Sequence, residues 1–180
     1  PLLDRPNPIP MSRWLSFGSV NTNDWKQIYG AHWRQRGHHI LVDGLGTGFG
    51  GRSLLVSSTP APELPYEVAV TVKLDDESGA AGLIFGGDGG DRQYGFYPTG
   101  GQLRLTRFDG PEVFSWTILT TVPSPHYRKG EANRLRVRIQ KDRIQCYVNE
   151  QLVVESADPD LAGSAVGLAK FRETSDRKST

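Results

Sequence analysis

The sequence predicts an all-β protein made of two antiparallel sheets packed face to face. Short apolar runs with a period of two recur ten or eleven times along the chain, and that period places alternate side chains on opposite faces of a strand. The 21 glycines and 12 prolines, 33 of 180 residues, exceed what a helical protein tolerates yet stay below the roughly 25–30% that marks low complexity. Most segments between the runs are too short for the crossover helices that parallel strands need, so the sheets should be antiparallel. A chain of this length can bury about 70% of its unfolded surface, and one domain needs no covalent staple.

Residues 1–13 carry four of the prolines and read as an extended lead-in. The β domain is expected over 14–173. Its first runs are 38–42 and 53–57. The cleanest is 67–74, where Val68, Val70, Val72 and Leu74 point one way while Glu67, Ala69, Thr71 and Lys73 point the other. Runs at 81–85, 94–97 and 103–108 follow, with Tyr94 and Phe96 on one face and Tyr97 opposite. In 114–122, Trp116 alternates with Phe114 and Ile118 and is expected to share their face.

The last third is a meander. Leu135, Val137 and Ile139 lie opposite Arg134, Arg136 and Arg138; after a Lys141-Asp142 turn, Ile144, Cys146 and Val148 resume the apolar side. A second turn at Asn149-Glu150 uses the tolerance of Asn for positive backbone angles and leads into 152–155. Residues 158–163 have room for one helical turn, 165–171 form the closing strand, and 174–180 are a frayed polar tail.

Composition also excludes functions. With 21 basic and 20 acidic residues the net charge is +1, which gives no long-range attraction to nucleic acid or to an anionic membrane. A single cysteine, Cys146, excludes an intrachain disulfide framework and a cysteine-based zinc cluster, and its place on a buried face assigns it to packing. No apolar run approaches the roughly 18 residues of a membrane span. The only methionine is Met11, so the chain is expected to be part of a larger, extracytoplasmic polypeptide.

The segment "NRLRVRIQKDRIQCYVNEQLVVESADPDLAGSAVGLAKFRET" resembles the end of the concanavalin A-like lectin/glucanase jelly roll: apolar strand, tight turn, apolar strand, Val-rich strand, Asp/Pro loop and a closing Gly-Leu strand. The stretches "DWKQIYGAHWRQRGHHILVDGLGTGFGGRSLLVSS", "PYEVAVTVKL" and "SGAAGLIFGG" are similar in order to laminin-G-like domains and to the 3-keto-disaccharide hydrolase-like branch. The resemblance covers roughly residues 14–173 and implies a two-sheet antiparallel jelly-roll sandwich with ligands on one sheet face or its rim. It also implies a range of roles, since lectins, glycosidases and adhesion modules share the fold. The Glu-x-Asp-x-x-Glu strand of the glucanases, which sets two carboxyls about 5–5.5 Å apart, is missing, as is the galectin His-x-Asn-Pro-Arg signature.

The leading expectation is therefore a non-catalytic carbohydrate-binding or adhesion module whose partner is a glycan or a cell-envelope protein. Sugar rings stack on aromatic faces while charged groups bond their hydroxyls, which nominates Tyr94, Tyr97, Trp116, Tyr127, Arg92 and Arg136. The alternative is a glycoside hydrolase of the 3-keto-disaccharide type, with Glu67, Asp88, Asp91 and His126 as acids or bases. A third reading is an interaction domain with no small ligand. Asp75, Asp88 and Asp91, in Gly-rich turns, are the candidate oxygen ligands for calcium. The Gly-rich run 44–51 lacks the following helix and lysine of a phosphate loop. His38 and His39 are neighbours on a strand and point apart.

Overall fold

A computed structural model of the chain describes residues 18–47, 50–157 and 163–171. The lead-in, the helical turn and the frayed tail fall largely outside these residues. Among the described residues fourteen strands run in chain order: β1 Gly18–Ser19, β2 Trp25–Ile28, β3 His32–Arg36, β4 His39–Asp43, β5 Ser53–Ser57, β6 Tyr66–Val72, β7 Ala80–Gly87, β8 Gln93–Thr99, β9 Gln102–Phe108, β10 Trp116–Pro123, β11 Asn133–Gln140, β12 Arg143–Val148, β13 Gln151–Ser156 and β14 Ala165–Phe171. They build a seven-stranded sheet of order β10-β9-β8-β7-β14-β5-β2, a four-stranded sheet β13-β12-β11-β6 and a three-stranded sheet β1-β3-β4. Every described pairing between these strands is antiparallel.

The two smaller sheets share one face of the large sheet. Leu83, Phe85, Tyr94, Phe96, Leu103 and Leu105 on that face meet Leu135, Val137, Ile144, Cys146 and Val148 of the four-stranded sheet. Val20 and Trp33, with Ile40 and Val42, pack instead over Leu55. Leu168 on β14 touches both clusters, so the boundary between the two small sheets lies over β14. The opposite face of the large sheet carries Leu54, Ile84, Tyr97, Phe108, Ala169 and Phe171; Tyr94 and Phe96 indeed face away from Tyr97, as the alternation requires.

The meander forms as its pattern dictates. Asn149 and Glu150 both take positive φ, 48° and 70°, the geometry of a two-residue hairpin turn whose twist matches its strands. A bulge opposite Cys146 and Tyr147 then turns Leu152 outward, half exposed, while Val154 stays buried. Strands β1 to β3 lack a clean period-two signal: His32–Arg36 buries only Trp33, and Trp25–Ile28 buries none of its four residues fully. The expected 114–122 strand is corrected at its start. Val113–Ser115 is a 3-10 turn, so Phe114 does not share a face with Trp116 and is 82% exposed.

Burial moves several protons. Desolvation pushes the Cys146 thiol well above its ordinary 9.0 and raises the Tyr66 and Tyr97 phenols. Tyr127 is raised too, by burial first and then by the Glu77 carboxylate that its hydroxyl donates to at 2.6 Å. In each case the unfolded chain releases its proton first, so it binds fewer protons than the fold and the slope of stability with pH is negative. Stability is expected to be level up to about pH 8 and to fall as pH climbs through and beyond the ordinary thiol and phenol values. Urea unfolding between neutral and strongly alkaline pH checks this; a flat profile above pH 10 rejects it.

Candidate functional site

Four residues nominated by sequence, Asp88, Asp91, Arg92 and Trp116, gather at one rim of the large sheet, around an arginine the pattern did not reveal. Arg52 precedes β5 and is 2% exposed. Its guanidinium carbon lies 5.1 Å from the Phe108 ring centre, 5.3 Å from Trp116 and 5.6 Å from Tyr29, a box of aromatic faces that attracts a cation. Nη2 donates to the Gly110 carbonyl at 3.1 Å and Nη1 to the Asp91 carbonyl at 3.4 Å, and the Asp91 carboxylate is 3.6 Å away. With its amide oriented by its neighbours, Gln93 accepts from Nη1 at 3.3 Å and donates to Gly90 O. Desolvation lowers Arg52 to about 10, so it remains charged at neutral pH.

The backbone is shaped to this cluster. Asp88 closes the β7–β8 turn by accepting from the Gly90 and Arg92 amides, an Asx turn. A Cβ on Gly50 would enter the Trp116 ring, and one on Gly46 the Arg52 carbonyl, so these two glycines lie closely against the box. Phe108 stacks on Phe171 at 5.5 Å and meets Trp116 edge-on at 5.0 Å. Three buried polar atoms here, Arg52 Nε, Asp91 Oδ1 and Trp116 Nε1, make no hydrogen bond, a concentration that native interiors seldom leave unexplained. On the solvent side, Asp109 takes Arg107 at 3.0 Å and Arg92 at 3.7 Å. Phe114 is tied close by, since the Asp109 amide donates to the carbonyl of the adjacent Ser115.

The other nominated residues lie elsewhere. Tyr94 is 2% exposed and stacked on Phe85 inside the sandwich. Tyr97 is buried on the opposite face with its hydroxyl on Thr106, and Tyr127 is buried against Glu77. None of these three rings presents a face to solvent, because an aromatic on a two-layer core is the cheapest way to fill it. Arg136 is on the outer face of the four-stranded sheet, 4.0 Å over the Tyr147 ring and paired with Glu67 at 2.9 Å and Glu150 at 3.3 Å. Every arginine of the stripe is thus paired in place, with Arg134 on Glu150 and Arg138 on Glu67, two glutamates serving three arginines.

The acid and base set does not converge either. Glu67 is held by Arg136 and Arg138 across the sandwich from Asp88 and Asp91, while His126 follows the far end of β10, whose near end is Trp116. Asp75 and the Asp88–Asp91 pair sit at opposite ends of the eight-residue β7, about 26 Å apart along the strand, so these three aspartates do not share one ion. Among the described residues no three His, Cys, Asp or Glu side chains come together as a metal site.

The family profile for the 3-keto-alpha-glucoside-1,2-lyase-like domain matches residues 15–174. The chain belongs to that family. Its fold is also that of solved concanavalin A-like jelly rolls. The carbohydrate binding module CBM66 from Bacillus subtilis superposes with a TM-score of 0.62 at 17% identity, over 88% of this chain and 94% of that one. A Bacillus subtilis protein of unknown function with a galectin-like fold gives 0.58 at 10% identity, over 88% and 90%. The laminarinase catalytic domain from Thermotoga maritima gives 0.53 at 9% identity, over 87% and 83%. None of the curated proteins compared matches the chain.

Two features of the rim of this 3-keto-alpha-glucoside-1,2-lyase-like domain are not legible in its sequence. Arg52 carries no local signal of burial; the one hint was its position between a Gly-rich run and an apolar strand. Phe114 was assigned to a strand, although Asp109-Gly110-Pro111 just before it is a turn signal that argues for a loop. No described helix is long and apolar enough to cross a membrane.

Proposed function

We propose that this domain is a non-catalytic glycan-binding module that acts at the Arg52 rim. One observation carries the reading: Phe114 is 82% exposed in the turn whose next residue, Ser115, accepts from the Asp109 amide, and the Asp109 carboxylate pairs with Arg92. An exposed ring next to charged donors and acceptors suits a sugar, whose C–H face stacks while its hydroxyls bond the charges. Arg52 and its aromatic box hold the loops that carry these groups. Glu67 and His126 lie away from the Asp88–Asp91 turn, in which Asp88 accepts from the Gly90 and Arg92 amides and Asp91 lies against Arg52; that engagement supports binding over hydrolysis, which needs an acid and a base free to reach one bond. On this reading the domain works outside the cytoplasm, on a glycan or a glycan-bearing envelope protein.

A glycan array, with pull-down from cell-envelope material, tests it. Binding is expected, and Phe114→Ala should weaken it by about tenfold or more with an unchanged melting temperature, since one stacked ring is worth about 1 kcal/mol or more. No binder from a folded sample counts against the proposal. The family match favours a second reading, cleavage of a 3-keto-glycoside; turnover that disappears in Asp91→Asn and survives in Phe114→Ala would reverse the ranking.

A further inference from the structure

Strand β3 sends neighbouring side chains to opposite faces. Trp33 turns inward over Leu55 and is 5% exposed, with its Nε1 donating to Ser53 Oγ at 2.8 Å. His32 and Arg34 turn outward, His32 opposite Asp43 of β4 and Arg34 opposite Ser19 of β1. Together with Gln27 of β2 these four line a hollow of about 540 Å³. A hollow of this size falls in the range of about 300–1,000 Å³ typical of small-molecule sites.

The groups that line it are reachable and only partly used. The side chains of His32, Asp43 and Arg34 are 81%, 55% and 40% exposed. Asp43 Oδ2 accepts from Arg34 Nη2 at 2.7 Å, which fixes the carboxylate, while Oδ1 lies 3.6 Å from His32 Nδ1, beyond hydrogen-bond range. Gln27 donates Nε2 to the Ala31 carbonyl at 2.9 Å and keeps its amide oxygen. Among the described residues Asp43 Oδ1, the Gln27 oxygen, Arg34 Nη1 and the Ser19 hydroxyl make no hydrogen bond.

That inventory selects the kind of occupant. Arg34 and Asp43 cancel each other's charge, so no net field draws an ion of either sign. Trp33 is covered, so no ring face is offered for stacking. What remains is a set of donors and acceptors side by side, and a hydroxyl is both at once. We propose that the hollow is a second sugar site, which holds a neutral sugar residue by its hydroxyls. One hydroxyl donates to Asp43 Oδ1 and another accepts from Arg34 Nη1, with His32 and Gln27 available to the next. The site is separate from the Arg52 rim and does not rest on glycan binding there.

The probes are four neutral disaccharides, maltose, cellobiose, lactose and sucrose, titrated into the ¹⁵N-labelled chain and followed by NMR. At least one should shift the amides of Ser19, Gln27, His32, Arg34 and Asp43 in a saturable way, with little dependence on salt. Asp43→Ala and His32→Ala should each weaken that binding at least fivefold and leave the melting temperature unchanged, because an exposed ion pair adds little stability. Phe114→Ala should leave these shifts as they are. Shifts confined to 91–92 and 109–115 overturn this site and leave the rim reading standing; no shift anywhere overturns it as well. Sodium sulfate moving the same amides where no sugar does would make the hollow an anion site and also overturns the proposal.

Discussion

Replacing Arg52 with alanine is expected to cost about 3–5 kcal/mol of stability, the range for removing one partner of a buried charged network. At about 2–4 °C per kcal/mol for a domain of this size, the melting temperature falls by roughly 6–20 °C. The loss has identifiable parts. Gly110 and Asp91 lose the donors to their carbonyls, the Asp91 carboxylate keeps a buried oxygen with no counter-charge, and three aromatic faces lose the cation they surround. Arg52→Lys preserves charge but replaces a planar fork by a point charge that cannot reach two carbonyls and three rings at once, so it should fall between wild type and alanine. Arg52→Met, similar in volume and without charge, separates packing from electrostatics. Thermal and urea unfolding of the three variants measure the order; an alanine variant within about 0.5 kcal/mol of wild type would show that the box holds nothing together.

The second large effect is at Gly167, in the middle of β14. It pairs with Val56 on one side and Ile84 on the other, and a Cβ there would strike the Leu55 carbonyl oxygen and lie 2.9 Å from Val56 Cα and 3.0 Å from Leu55 C. These are backbone atoms of a strand that is itself paired on both sides, so they cannot move as a flexible side chain can. Gly167→Ala is expected at the upper end of the roughly 1–3 kcal/mol of overpacking, and Gly167→Val beyond it, to the point of little folded protein. Gly18→Ala, with nothing within 4 Å, is the control and should change stability by less than about 0.5 kcal/mol. Equal effects at the two positions would sink the steric account.

The same contrast shows how far the sequence could be read. Strands β5, β12 and β14 begin and end where their apolar runs do, and the Asn149-Glu150 turn is visible because its backbone geometry selects its residues. A strand that is half buried on one face writes its pattern locally. What is decided by neighbours distant in the chain leaves no such trace. Arg52 is buried by Tyr29, Phe108 and Trp116, separated from it by 23 to 64 positions, and no window of sequence holds them together. Tyr94, Tyr97 and Tyr127 were legible as strand or near-strand aromatics but not as core, since an aromatic suits a packed layer and a sugar platform equally well. Asp88, Asp91, Arg92 and Trp116 could each be picked out as polar or aromatic residues near turns; that they share a rim while Glu67 and His126 do not follows from the order of strands in the large sheet.

Leu168, the residue common to both clusters on the covered face, has a consequence for cooperativity. Among the described residues the three-stranded sheet shares no hydrogen-bonded ladder with the other sheets; it is attached by the contacts of Val20, Trp33, Ile40 and Val42 over Leu55 and Leu168 and by the hydrogen bond from Trp33 Nε1 to Ser53 Oγ. Losing it breaks far fewer buried contacts than opening the main sandwich does, so it behaves as a unit of lower local stability. Melting should then spread over two overlapping steps, and the calorimetric enthalpy should exceed the van 't Hoff enthalpy, which two-state unfolding would make equal. Leu168→Ala, which loosens the joint between the units, should widen that gap.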